Sequence, residues 1–256
     1  MNSAISIITV VLNDRAGFEK TARSIVGQDY LDLDWIVIDG GSTDGTTDAI
    51  KSVSDRISYL VSERDNGLYH AMNKGLEHAK GEWVNFMNSG DIFADDTTVS
   101  RVMTADLSGI DLVYGDTLAA YHHGPVLKKA GSADELDKGM VLCHQSVFVR
   151  TAVAKRAGFD LNYRIGADYD QLLKLRMQGC FFRQVSFPIA IINAQGTSNR
   201  KMARSAREHF TIVQKYRRLT IPEKLYHAGF IAWCSLVSLG YMLLPEKVMH
   251  SIARVK

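Results

Sequence analysis

An α/β fold, with a Rossmann-like, mainly parallel sheet, flanking helices and a helical C-terminal extension, is what this 256-residue sequence predicts. Three observations predict it. Short apolar or β-branched runs alternate with helical patterns through the first 200 residues, which is the rhythm of βαβ units. Several of those runs end in acidic or glycine-containing turns, where open α/β sheets bind their ligands. Hydrophobic residues make up 46% of the chain and charged residues 23%, so the fold must bury a real core and a mainly disordered chain is excluded. Residues 1–200 read as one α/β domain and residues 201–256 as a basic, hydrophobic helical extension.

The elements follow in order. Ile5 to Leu12 is a β-branched run, followed by Asn13 and Asp14 and a helical pattern over Phe18 to Val26. Trp35 to Ile38 is a second strand ending at Asp39, after which GGSTDGT makes a turn and Thr47 to Val53 starts a helix. Ile57 to Val61 is a short strand, ERDNG turns the chain, and Leu68 to Ala79 sets Leu68, Met72, Leu76 and Ala79 on one helix face before Gly81. Trp83 to Met87 is a strand that delivers Asn88, Ser89, Gly90 and Asp91, and Ile110 to Tyr114 ends at Gly115 and Asp116. The polar stretch from Thr117 to Lys138 is expected to form hairpins or a mobile loop, with His122 and His123 in contact with solvent. Val147 to Val149 is a strand, Asp170 to Gly179 a helix entered through Gly166-Ala167-Asp168-Tyr169, and Phe181 to Ile192 a run that closes the sheet. Gln195 to Ser198 turns into a helix over Met202 to Arg218, and Pro222 opens a further helical segment that carries no Lys, Arg, Asp or Glu from Leu225 to Leu244.

Charge is unevenly placed. The net formal charge is +2, yet residues 200–256 hold eleven Lys or Arg against three Asp or Glu, which leaves the first 199 residues at −6. A basic tail on an acidic body suits an anionic surface; with no long Lys/Arg run in the first 199 residues, nucleic acid is the weaker partner and lipid the stronger. Cys143, Cys180 and Cys234 are too widely spaced for a metal-ligand pair or a disulfide framework. The N-terminus opens on ISIITVV, with no secretory signal pattern, so a cytoplasmic catalytic domain is expected.

Asp39, Asp44, Glu63, Asp65, Asp91, Asp116 and Asp168 all fall at strand ends or in adjoining loops. Gathered on one rim, they would demand a cation, because clustered carboxylates raise one another's pKa. Mg²⁺ or Mn²⁺ bridging Asp91 to two phosphates meets that demand with hard oxygen ligands. Gly90, beside it, lets backbone approach a ligand without a Cβ clash. Capping and loop solvation are the bland alternative, at even weight for Asp44 and Asp65. GGSTDGT lacks the lysine of a P-loop and the spacing of the dinucleotide fingerprint, and its serine has no nucleophile-elbow context.

Taken together, SIITVVLN, WIVIDGGSTDGT, VSERDNGLYHAMNKGLEHAKGEWVNFMNSGD, CHQSVFVR and GADYD occur in the order found in one family. The chain resembles the inverting GT-A glycosyltransferases of family 2, in the bacterial branch that builds exopolysaccharide or lipid-linked surface glycans. The resemblance covers about the first 200 residues. It implies that Asp39 receives the nucleotide base, that Asn13 and Ser42 line the same pocket, and that Glu63, Asp65 and Asn66 contact the donor. It implies metal at Asp91, with Gly90 beside it, a general base at Asp168, and His144 and Gln145 on the rim near donor phosphates or acceptor. The chain departs from the family at Gly40, His70, Gly90 and Ala167, where acids are common.

The reaction implied is inverting transfer from a UDP-sugar, or a GDP- or dTDP-sugar, to a lipid-linked or oligosaccharide acceptor. Two other readings stand beside it: a nucleotidyltransferase acting on sugar phosphates, against which the missing basic phosphate loop counts, and a noncatalytic nucleotide-sugar binding module. The basic extension is expected to hold the enzyme on the inner face of an anionic membrane. The uncharged run from Leu225 to Pro245 is long enough to span but weakly apolar, and packing on the catalytic domain or a homodimer is its alternative use.

Overall fold

The computed structural model describes residues 4–121, 124–194 and 201–243. The chain forms two compact units, Met1–Ala194 and Gln195–Lys256. The first contains β1 (Ile5–Val11), α1 (Arg15–Val26), β2 (Leu33–Asp39), α2 (Thr46–Lys51), β3 (Tyr59–Ser62), α3 (Leu68–His78), β4 (Trp83–Phe86) and β5 (Ile92–Phe93). It continues with α4 (Thr98–Met103), β6 (Leu112–Tyr121), β7 (Gly124–Lys128), β8 (Val147–Arg150), α5 (Thr151–Ala157), α6 (Ala167–Met177) and β9 (Phe182–Asn193).

Among the described residues one sheet runs in the order β3-β2-β1-β4-β8-β6-β9-β5, with β7 paired to β6. Its first half is parallel: β1 pairs with β2 and β4, and β2 with β3. Ile5, Ile7, Ile8, Ile36, Val37 and Ile38 are fully buried there, as continuous apolar strands covered on both faces should be. The second half is mixed. β8 lies antiparallel to both β4 and β6, and β5 antiparallel to β9, while β6 and β9 are parallel. The expected mainly parallel sheet is therefore corrected to a mixed one. An apolar run reports burial, whereas direction depends on how the chain returns; β6 turns into β7 and a long loop before β8 re-enters from the opposite side.

Helix entries follow local chemistry. Asp14 caps α1 by accepting the Gly17 N–H at 3.0 Å, and a Cβ at Gly17 would lie 1.9 Å from the Asp14 carboxylate. Phe18, Thr21, Ala22 and Ile25 form the buried face of α1, with Phe18 stacked on Trp35 at 5.9 Å. Helix α3 presses close to the sheet because Gly75 has no side chain; a Cβ there would lie 2.5 Å from Ile8.

The second unit contains α7 (Met202–Tyr216) and α8 (Ile221–Leu243). Glu223 closes the start of α8 in the manner of one half of a capping box, accepting both the Thr220 N–H and hydroxyl at 2.8 Å. Arg217 donates to the same carboxylate at 2.7 Å, and with these bonds Glu223 is held down at about 2. Among the described residues no helix is long and apolar enough to cross a membrane. His122, His123, the turn at Gln195 to Ser198, and Pro245, Lys247, Arg254 and Lys256 lie outside the described residues.

Candidate active site

The ends of β1 and β2 are tied into a closed loop pair. Asp39 is fully buried. Its carboxylate accepts the Ser42 hydroxyl at 2.5 Å, the Ser42 N–H at 3.1 and 3.2 Å, and the Ser62 hydroxyl at 2.5 Å. Ser42 Oγ accepts the Asn13 N–H at 2.7 Å, and Asn13 Oδ1 accepts the Thr43 N–H at 2.8 Å. Asn13 adopts a left-handed backbone, φ 50°, which asparagine tolerates better than most residues. Asp44 caps the next turn through the Thr46 N–H and hydroxyl, which lower its pKa.

At the end of β3, Lys74 bridges Glu63 at 2.7 Å and Asp65 at 2.6 Å, and His70 Nδ1 lies 3.2 Å from Asp65. Lys74 holds the Glu63 carboxyl below its ordinary value, chiefly by its hydrogen bond; Asp65 and Glu63 raise Lys74 in return. Asp65 Oδ2 is buried with no hydrogen-bond partner and faces Gly40, where a Cβ would sit 3.5 Å away. The backbone oxygen of Asn66 accepts from Arg164 Nη1 at 3.3 Å, beside a shallow pocket lined by Leu68, Tyr69, Leu161 and Tyr163.

The loop after β4 is held from α1. Thr21 donates to the Asp91 backbone oxygen at 2.7 Å and accepts the Gly90 N–H at 3.0 Å, while Ser89 donates to Asp14 at 2.8 Å. Gly90 has φ 91°, a left-handed conformation natural to glycine. Asp91 Oδ2 accepts Gln145 Nε2 at 2.7 Å, and Gln145 Oε1 accepts the Cys143 thiol at 2.8 Å. Burial pushes the Asp91 carboxyl up, against the pull of the Gln145 hydrogen bond and the His144 charge. Burial likewise pushes the Cys143 thiol up to about 12, so it remains a donor and fixes which way the Gln145 amide faces.

Asp168 stands in the first turn of α6. Its Oδ1 accepts the Tyr69 hydroxyl and the Tyr169 N–H, each at 2.9 Å, and its Oδ2 lies 3.4 Å from His144 Nδ1. His144 Nε2 is buried without a hydrogen-bond partner. His144 and Gln145 are neighbours in one 3-10 turn, His144–Ser146, so a single short segment touches both Asp91 and Asp168. Ser146 seats that turn by bonding Thr117 Oγ1 at 2.6 Å and the Asp116 backbone oxygen at 3.1 Å.

Residues 6–153 match the family described as Glycosyl transferase family 2. The chain belongs to this family. An uncharacterized glycosyltransferase of Mycobacterium tuberculosis is 34% identical over 183 residues, which is 66% of this chain and 68% of that protein. A PGL/p-HBAD biosynthesis glycosyltransferase of Mycobacterium bovis is 32% identical over 174 residues, 64% of this chain and 66% of its own length; the chain thus spans about two thirds of these relatives. Among solved structures, a mannosyltransferase from Pyrobaculum calidifontis in complex with GDP-Man and Mn²⁺ aligns at TM-score 0.67 and 15% identity, covering 99% of this chain and 79% of that one. S. aureus TarS in complex with UDP aligns at 0.66 and 16%, covering 89% and 70%. The fold is accordingly GT-A-like.

Within this family 2 chain the expected site residues fall into three groups: Asn13, Asp39 and Ser42; Glu63, Asp65 and Asn66; and Gly90, Asp91, His144, Gln145 and Asp168. Sequence reasoning missed Tyr69, Thr21, Asp14 and Cys143 as partners. Tyr69 and Cys143 lay inside quoted motifs, directly before His70 and His144, and that adjacency was the available signal.

Proposed function

We propose that the protein transfers a sugar from a nucleotide-sugar donor to a lipid-linked or oligosaccharide acceptor, with inversion. The observation that carries this reading is the His144–Gln145 turn, which sets one side chain on Asp91 and the next on Asp168. An acceptor hydroxyl is a poor nucleophile until its proton is taken, and a diphosphate leaves well only when its charge is met. Asp168 serves the first need as general base. Asp91 and the donors around it serve the second.

Among the described residues no group of three or more His, Cys, Asp or Glu is placed to hold a metal. Asp91 would then be the chain's single carboxylate ligand, with diphosphate oxygens and water completing the shell, an arrangement that suits Mg²⁺ and that Mn²⁺ would share. The ion, when bound, would neutralise charge on the leaving group. Gln145 keeps Asp91 in place, and Asn13, Ser42, Glu63, Asp65 and Asn66 line the donor side. UDP-sugars are favoured, with GDP- and dTDP-sugars the other donors.

The second unit attaches the enzyme to the cytoplasmic face of an anionic membrane, where a lipid-linked acceptor resides. Leu225, Tyr226, Phe230, Trp233, Leu236 and Leu239 of α8 are exposed, between 41% and 69%. Lys201, Arg204, Arg207, Lys215, Arg217, Arg218 and Lys224 precede that run, and each basic residue near the surface adds about 1 kcal/mol of attraction. Flotation with anionic and neutral liposomes tests attachment, using full-length protein and a form ending at Thr220. Failure of both forms to float with anionic lipid overturns it, and a concentration-dependent dimer would assign the apolar face to a second copy.

For transfer itself, a panel of UDP-glucose, UDP-N-acetylglucosamine and GDP-mannose is incubated with extracted lipid-linked oligosaccharides and read by product mass. A mass gain of one sugar supports the reading. Donor consumption without any glycosylated product, across the panel, counts against it.

A further inference from the structure

Asp168 has a second partner that its motif does not contain. Tyr69 is 5% exposed, and its ring stacks on Phe159 with centroids 5.6 Å apart, which fixes the direction of its hydroxyl. That hydroxyl lies 2.9 Å from Asp168 Oδ1 and also reaches the backbone oxygen of Ile165. Both neighbours are acceptors, and a phenol has one proton to give.

We propose that Tyr69 is a positioning residue that serves Asp168 in both protonation states, donating to its carboxylate before proton transfer and to the Ile165 carbonyl after it. The kinetic part of this proposal rests on Asp168 being the general base. While Asp168 is ionised, a charge-assisted bond from Tyr69 is the stronger of the two choices. In the transfer step the acceptor O–H bond breaks as its oxygen bonds to the anomeric carbon. The bond from that carbon to the diphosphate breaks with its electron pair on the diphosphate, and the proton ends on Asp168. A neutral carboxyl oxygen accepts more weakly than a peptide carbonyl, so the Tyr69 proton turns to Ile165. Neither arrangement strands a buried donor. Among the described residues, Tyr69 from α3 and His144 from the 3-10 turn are titratable groups that face Asp168; Cys143 lies within electrostatic reach, and Asp170 shares its helix.

The test is a ¹³C titration of the Asp168 carboxyl carbon in aspartate-labelled protein, assigned by the signal lost in Asp168→Asn. Tyr69→Phe should move the midpoint up by about one pH unit, the worth of one hydrogen bond to a charged group. Should Tyr69→Phe fail to fold, 3-fluorotyrosine at position 69 keeps the shape and donates more strongly, so the midpoint should move down. An unmoved midpoint in either protein overturns the proposal. With a donor in hand, Tyr69→Phe should lower kcat about tenfold, leave donor KM within about twofold and add little in the Asp168→Asn background. Full turnover by Asp168→Asn would instead remove the base assignment, and the titration would still decide whether Tyr69 steadies this carboxylate.

Discussion

Asp39 and Asp168 are both aspartates at the edges of secondary-structure elements, and their surroundings are opposite. Asp39 is fully buried and spends its carboxylate on Ser42 and Ser62. Asp168 is 18% exposed at its side chain and is held by Tyr69 and His144. Asp91 resembles Asp168 in being steadied by a side chain from the same turn. An acid whose hydrogen-bonding capacity is consumed by its own loop builds a scaffold. An acid steadied by neighbours while still reaching solvent keeps an oxygen to offer, which is what the proposed base at Asp168 requires.

That comparison breaks most easily at Asp168. Asp168→Asn keeps shape and loses the proton acceptor, so turnover should fall by about 10² to 10⁴ while donor affinity stays within a few-fold; unchanged turnover contradicts the assignment. Asp39→Ala should do the reverse. It strands buried hydroxyls and an N–H, and should destabilise the fold by about 2–4 kcal/mol, read as a lower urea midpoint. A variant as stable as the parent would mean the loop does not depend on Asp39.

Asp91→Ala sharpens the contrast at the leaving group. The metal-dependent affinity for UDP should drop much more than that for uridine, measured by calorimetry with and without Mn²⁺, whereas equal losses would point to the base pocket or to misfolding. Cys143 gives the smallest effect. With its thiol at about 12, the thiolate is scarce at pH 8, and iodoacetamide should leave Cys143 unmodified in native protein while labelling it after denaturation. Rapid native labelling would remove the thiol as the group that orients Gln145.

How far the sequence carried these conclusions depends on what kind of information each needed. Strands β1, β2 and β4 were legible because burial on both faces writes a continuous apolar run, and α3 because Met72 and Leu76 recur at helical spacing, although the expected face was one residue off at its start: Leu68 is exposed and Tyr69 is buried in its place. The two-residue β5 and the short α4 and α5 were missed, since six or seven residues hold too little periodicity to register. Strand direction in the second half was illegible for a different reason: Val147 to Arg150 reads the same whichever way it runs. Asp91, Asp168, His144 and Gln145 were found as motif residues, but their pairing across 54 positions and the role of Tyr69, 99 positions from Asp168, exist only after folding.

The three-residue turn from His144 to Ser146 has a mechanical consequence. Adjacent residues reach the two acids, and the turn that carries them is anchored from two strands: Ser146 bonds Thr117 and Asp116, and Asn85 Nδ2 donates to the Gln145 and Val147 carbonyls at 3.0 and 2.8 Å. The Gln145 amide on Asp91 and the His144 imidazole on Asp168 are therefore placed by the same anchors, and a shift of one backbone segment would move both.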